Sequence, residues 1–164
     1  MEELDKKDKS IEEKAETLLG EVLRGLGLEA EINITREDDT MLISLEGEGL
    51  GLLIGRRGST LDALQYLLAI AVNKGEEERK RVILDAEGYR ENRKKSLEEL
   101  AERMAARVVE TNESVSLEPM NPYERRLIHL ALSEQPDVET SSEGEEPYRN
   151  VVIVPKKQEG SEEA

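Results

Sequence analysis

Four consecutive residues, Gly55-Arg56-Arg57-Gly58, have types and spacing that suit phosphate chemistry. Glycine has no Cβ, so the backbone at each end of such a loop can lie against a phosphodiester. Arg56 and Arg57 place two full positive charges at the loop tip, and the amides opening a following helix favour negative charge. Ser59 can cap that helix, with Asp62 at the third helical position completing a start like a capping box. A plainer reading is that Gly55 and Gly58 end one helix and permit a turn into the next. The flanking pattern favours the first. Leu53 and Ile54 before the loop, and Leu61 and Leu64 after it, are predicted to line a groove with a neighbouring hairpin. Such a groove accepts the splayed bases of a single strand.

A second pair lies far along the chain. Arg125 and His129 are four apart on a predicted helix, about 40° from each other on one face. Leu127 and Leu130 are expected to point away, which leaves the pair near solvent. Arginine can fork onto a phosphate, and histidine can hydrogen-bond to a base or stack on it. Both are equally at home as ordinary surface residues. Catalysis is not expected from either site. The chain has no Cys to partner the single His, and one His makes no metal cluster and no His-Glu-x-x-His. Ser59 is better explained as a cap than as a nucleophile. Gly49-Leu50-Gly51-Leu52-Leu53-Ile54 lacks the third glycine of a dinucleotide fingerprint, and no Gly-Lys-Ser/Thr marks a P-loop. No catalytic residue, cofactor or metal is therefore assigned.

These residues need elements to hold them. Ile11 to Leu26 reads as an amphipathic helix with Leu18, Leu19, Val22, Leu23 and Leu26 on one face. Ala30, Ile32 and Ile34 alternate with charged residues, as do Met41, Ile43 and Leu45, which predicts a hairpin turning at Glu37-Asp38-Asp39-Thr40. An apolar turn over Leu50 to Ile54 leads into the Gly-Arg-Arg-Gly loop and a helix carrying Leu61, Leu64, Leu67, Leu68 and Ala71. Arg79 to Ala86 is predicted as a third strand. A long helix from Tyr89 to Thr111 then carries the stripe Leu97, Leu100, Ala101, Met104, Ala105, Val108 and Val109. A short strand follows at Val115 and Leu117. Asn121 and Pro122 start a last helix that runs through Leu132. Val138 to Ser141 and Arg149 to Val154 read as strands around Gly144-Glu145-Glu146-Pro147.

Composition narrows the function. With no Phe, no Trp and four Tyr, the chain cannot read nucleic acid with a platform of stacked aromatics. The absence of Cys removes disulfides and zinc knuckles and suits a reducing compartment. The charged opening Met1-Glu2-Glu3-Leu4-Asp5-Lys6 is unlike a signal peptide and no apolar run is membrane-length, so a cytoplasmic protein without membrane insertion is expected. The net charge of −15 opposes binding to a phosphate backbone. It is unevenly spread: residues 1–50 balance at −9, residues 51–95 at +3 and residues 96–164 at −9. The basic third holds the glycine loop.

Ile54-Gly55-Arg56-Arg57-Gly58-Ser59-Thr60-Leu61, in the order helix-strand-strand-helix-loop-helix-strand, resembles a type II KH domain. Pro119-Met120-Asn121-Pro122-Tyr123-Glu124-Arg125-Arg126-Leu127-Ile128-His129-Leu130 is similar to the domain named for an Arg and a His separated by three residues. The pair, joined by a long helix and ending in Gly144-Glu145-Glu146-Pro147-Tyr148-Arg149, resembles the bacterial Jag family of SpoIIIJ-associated proteins. The expected fold is α+β: an acidic tail at 1–10, a type II KH domain at 11–87, a connecting helix at 88–112, a small α+β Arg-x-x-x-His domain at 113–157 and a disordered acidic tail at 158–164. The resemblance implies single-stranded RNA binding, with single-stranded DNA as a related ligand, and links to cell elongation, cell shape or sporulation. It implies contacts from Gly55, Arg56, Arg57, Gly58, Ser59, Arg125 and His129, with Arg126 and Arg149 as supporting cations, and a second, smaller KH protein as hetero-dimer partner. Jag proteins often begin with a further small domain, whereas this chain is expected to start almost at its KH domain. The alternative is an interaction scaffold in which RNA contact is weak or vestigial.

Overall fold

A computed structural model describes residues 2–156, with side chains described from Ile11 onward; the tail expected at 158–164 lies outside the described residues. The chain divides into two units, Met1–Arg90 and Glu91–Ala164.

In the first unit, helix α1 spans Glu2–Leu26 and so runs back through residues expected as a tail. Its buried stripe is Ile11, Ala15, Leu19 and Leu23, a strict four-residue repeat, while Leu26 is exposed. The helix stops at Gly27, whose φ of +68 suits a residue without Cβ, and the Leu28 amide donates back to the Leu23 carbonyl at 2.9 Å. Strands β1 (Glu31–Glu37) and β2 (Thr40–Glu46) form the expected antiparallel hairpin, with Glu37 opposite Thr40. Strand β3 (Arg81–Ala86) starts two residues later than its pattern suggested and pairs with β2 in parallel, giving the order β1-β2-β3. A parallel pair needs a long crossover, and the short helix α2 (Gly51–Ile54), the glycine loop and helix α3 (Ser59–Asn73) supply it. Period-two alternation sends Met41, Ile43 and Leu45 of β2, and Val82, Leu84 and Ala86 of β3, inward onto Leu19, Leu53, Leu61 and Leu68.

In the second unit, helix α4 (Tyr89–Thr111) does more than connect. Its Leu97, Ala101, Ala105 and Val108 enter one core with Leu117, Met120, Ile128, Leu132, Val138, Val151 and Ile153. A sheet of order β4-β6-β5, built from β4 (Val115–Ser116), β5 (Val138–Glu143) and β6 (Asn150–Pro155), is antiparallel throughout. It is too small to bury its inner face alone, so α4 is a wall of this unit. Helix α5 (Pro122–Leu132) begins as expected: Asn121 Oδ1 accepts from the Glu124 amide at 2.9 Å and Pro122 takes the first position.

Candidate nucleic-acid interface

The glycine loop is built so that only glycine fits at its ends. Gly55 has φ +70 and ψ −170, and a Cβ there would overlap the Thr60 side chain. Gly58 has φ +79, is buried, and would bring a Cβ to 2.7 Å from the Tyr89 ring. Between them Arg57 is also left-handed, at φ 55, an uncommon conformation for a residue with a side chain. Arg56 is exposed and Arg57 half-buried.

Ser59 does not cap α3. Gly58 occupies the cap position and Ser59 is already helical, so its hydroxyl lies past the point from which a cap acts, and no side chain caps the helix start. The cap position therefore supplies no side-chain acceptor, and the Ser59 amide donates to the Arg56 carbonyl. Asp62 is not part of a capping box either. It accepts from Arg90 Nη1 at 2.8 Å, while Arg90 Nε donates to the Leu84 carbonyl and Nη2 to Gln65. That guanidinium ties the start of α3 to β3 and so fixes where the loop points.

The expected groove lining is corrected. Leu53, Leu61 and Leu64 are buried in the core, and Ile54 is half-buried against it. In the single turn of α2, Leu53 and Ile54 are used in closing the core. The apolar residues that do face solvent here are Leu52 and an outer stripe on α3, Tyr66, Leu67 and Ile70.

The Arg-His pair sits differently from its expected place. Arg125 is buried at 8 % exposure, whereas Leu130 faces solvent. Ile128 and Leu132 set the inward side of α5, and at about 100° per residue Arg125 falls on that side. Its Nη1 donates to the Met120 carbonyl at 2.7 Å and its Nη2 to Glu146 at 2.6 Å. The guanidinium therefore holds the 144–149 turn to the start of α5, and both terminal nitrogens are already engaged. The adjacent Glu124 is buried too and pairs with Arg93 Nε at 2.7 Å, fastening α5 to α4. His129 is half-buried between two hydroxyls, Nδ1 at 2.7 Å from Thr140 Oγ1 and Nε2 at 2.8 Å from Ser142 Oγ. Burial, and then the Arg125 charge, push its pKa below the ordinary 6.5, so the neutral ring donates from one nitrogen and accepts at the other. Arg149 is half-buried, donates from Nη2 to the Ser142 carbonyl at 3.2 Å, and has an Nε with no partner. Arg126 is exposed.

Sequence reasoning missed Thr140, Ser142 and Glu146. The alternation of Thr140 and Ser142 on a strand puts both on one face, but only the fold shows that this face meets His129.

Comparison with known proteins agrees with this geometry. Residues 12–84 match the model of the KhpA/KhpB KH domain, and residues 95–155 match the model of the Arg-x-x-x-His domain. A protein of Clostridium symbiosum named RNA-binding protein KhpB is 46 % identical over 150 residues, which cover 90 % of this chain and 68 % of that protein. The chain belongs to the KhpB family. A Bacillus subtilis member with the same name is 36 % identical over 143 residues, covering 86 % of this chain and 69 % of its own length. One from Lactiplantibacillus plantarum is 37 % identical over 136 residues, covering 83 % of this chain but 42 % of that longer protein. KhpB membership brings the two modules seen in the sequence, the KH domain and then the Arg-x-x-x-His domain, and is not membership of a known enzyme family. Among the described residues no helix is long and apolar enough to cross a membrane.

Proposed function

We propose that this chain is a single-stranded RNA-binding regulatory protein whose principal contact is Gly55-Arg56-Arg57-Gly58 with the first turn of α3. The observation that carries this is the helix start itself: two glycines in conformations that favour glycine, two arginines between them, and a glycine at the cap position of α3. A phosphodiester offers both hydrogen-bond acceptors and negative charge to such a helix start. Relatives at up to 46 % identity are named RNA-binding proteins, which supports the ligand class. In the second unit, Arg126 is the exposed cation, Arg149 and His129 position Ser142 and Thr140, and Arg125 is a strut for the binding surface. The compartment for such a protein is the one that holds RNA, the cytoplasm.

The partner reading follows from one surface. Tyr66, Leu67 and Ile70 form an exposed apolar stripe on α3 of the KH unit. A patch of this kind marks a protein interface. The family model matched over residues 12–84 describes KhpA and KhpB KH domains alike, so a second KH-domain protein is the occupant we infer. Ile70→Asp would abolish such a complex in light scattering of the co-expressed proteins, and an unchanged mass would refute it.

A salt titration tests RNA binding. With Arg56, Arg57 and Arg126 as the contacting cations, about two to four phosphates are neutralised. At about −0.7 per phosphate the slope of log affinity against log salt is roughly −1.4 to −2.8. Single-stranded RNA should bind better than duplex of the same sequence, because the acidic lobes repel a dense backbone. A slope steeper than about −6, or a duplex preference, refutes the reading.

A further inference from the structure

A groove in the second unit, on the opposite flank of α5 from His129, shares only Arg126 with the contacts described above. Lys94 and Glu98 of α4 face Tyr123, Arg126, Leu127 and Leu130 of α5 across a volume of about 500 Å³. Two of its apolar residues lie open to solvent, Tyr123 at 64 % and Leu130 at 59 % exposure. Arg126 and Lys94 make no hydrogen bond or ion pair with other described residues. Carboxylates are abundant in this acidic stretch, so two unneutralised cations beside an open aromatic are an unusual local arrangement for it.

We propose that this groove receives one unstacked nucleotide of a single strand, its base against Tyr123 and Leu130 and its phosphate between Arg126 and Lys94. Each part has a matching chemistry. An exposed tyrosine ring offers a stacking surface to any base. An exposed arginine forks onto phosphate oxygens, and lysine adds a point charge. The Glu98 carboxylate, an acceptor only, can take a hydrogen bond from an exocyclic amine or a ribose 2′-hydroxyl. The dimensions suit a nucleotide. A volume of about 500 Å³ falls within the range of about 300–1,000 Å³ that small ligands occupy. Around α5, Arg126 stands about 60° from His129 and about 40° from Leu130, so it bridges the His129 flank and the groove. A strand held at Thr140 and Ser142 would reach Arg126 next and then the groove.

This inference rests on the single-stranded RNA reading and adds a site to it. The test is fluorescence anisotropy of the full chain with a labelled single-stranded RNA pool, across a salt series, with thermal melting alongside. Tyr123→Ala should weaken binding at least fivefold, within the range of about 5- to 150-fold that base stacking on an aromatic spans. Tyr123→Phe should bind like wild type, because stacking needs the ring and not the hydroxyl. Arg126→Gln should flatten the salt slope by about 0.7. Wild-type affinity in Tyr123→Ala, or an unchanged slope in Arg126→Gln, overturns the groove site. If Arg56→Asp still loses affinity in that case, RNA binding stands and the groove serves another ligand, a protein included. If the wild-type chain binds no RNA, the parent reading fails and this one with it.

Discussion

Replacing Arg125 by Ala separates a strut from a ligand contact. The change removes a guanidinium that is 8 % exposed, and its cost has three sources. The Met120 carbonyl loses a donor at 2.7 Å, and a buried acceptor left unsatisfied costs about 1–3 kcal/mol. The bond to Glu146 counts for less, because that side chain is 54 % exposed and regains water once released; about 0.5–1 kcal/mol is reasonable. Loss of the packed aliphatic stem adds about 1 kcal/mol. The sum is about 2.5–5 kcal/mol, carried by a unit of residues 91–164. At about 4–8 °C per kcal/mol for a domain of that size, its melting temperature should fall by at least about 10 °C. Scanning calorimetry of the full chain reads the shift, and hydrogen exchange in peptides from α5 and β5 assigns it to this unit. Glu146→Gln is the matched control, with a loss below about 1.5 kcal/mol, since it keeps a neutral acceptor. Should Arg125→Ala melt within about 2 °C of wild type and yet lose RNA affinity, Arg125 would be a ligand contact and the strut argument would be wrong.

Three further outcomes are expected. Arg56→Asp with Arg57→Asp should remove most RNA affinity and leave the melting temperature nearly unchanged, since Asp tolerates the left-handed conformation at Arg57; binding that persists in anisotropy would refute the loop assignment. Gly58→Ala should cost about 2–3 kcal/mol in urea denaturation, through positive φ and a Cβ at 2.7 Å from Tyr89, and a loss below about 0.5 kcal/mol would show that the loop relaxes freely. His129 is neutral in the fold with a pKa below 6.5, so the unfolded chain binds more protons: its contribution is intact above pH 6.5 and is lost as pH falls toward the folded value. Between pH 7.5 and 5.5 the wild-type second unit should therefore lose stability while His129→Gln stays flatter, and parallel pH profiles would contradict the lowered pKa that burial and Arg125 give His129.

Local signals in the chain were enough for the element order. Apolar residues at helical spacing from Ile11, alternation at Ile32–Ile34 and Met41–Leu45, and Asn121-Pro122 each act within one element, so their periods and caps are readable from neighbours alone. The glycine loop was legible for the same reason, as a short motif whose backbone requirements lie in four residues. Side-chain destiny was not. Leu53, Leu61 and Leu64 read equally as groove or core, and only the packing of α2 and α3 on the sheet sent them inward. Ser59 has the right type for a cap, yet Gly58 took the position because the loop enters the helix left-handed. Arg125 looked exposed because Leu127 and Leu130 suggested the wrong apolar face of α5; Ile128 and Leu132 meet the sheet instead, and Arg125 turns inward with them. Helix α4 resembled a linker until its stripe found Leu117, Met120 and Val151, residues distant in sequence. Sequence alone therefore determined the elements, their order and the place of the glycine loop, because these depend on contacts a few residues apart. Tertiary structure decided which charges are buried, which hydroxyls His129 bridges and which cations reach solvent, because each depends on partners brought from elsewhere in the chain.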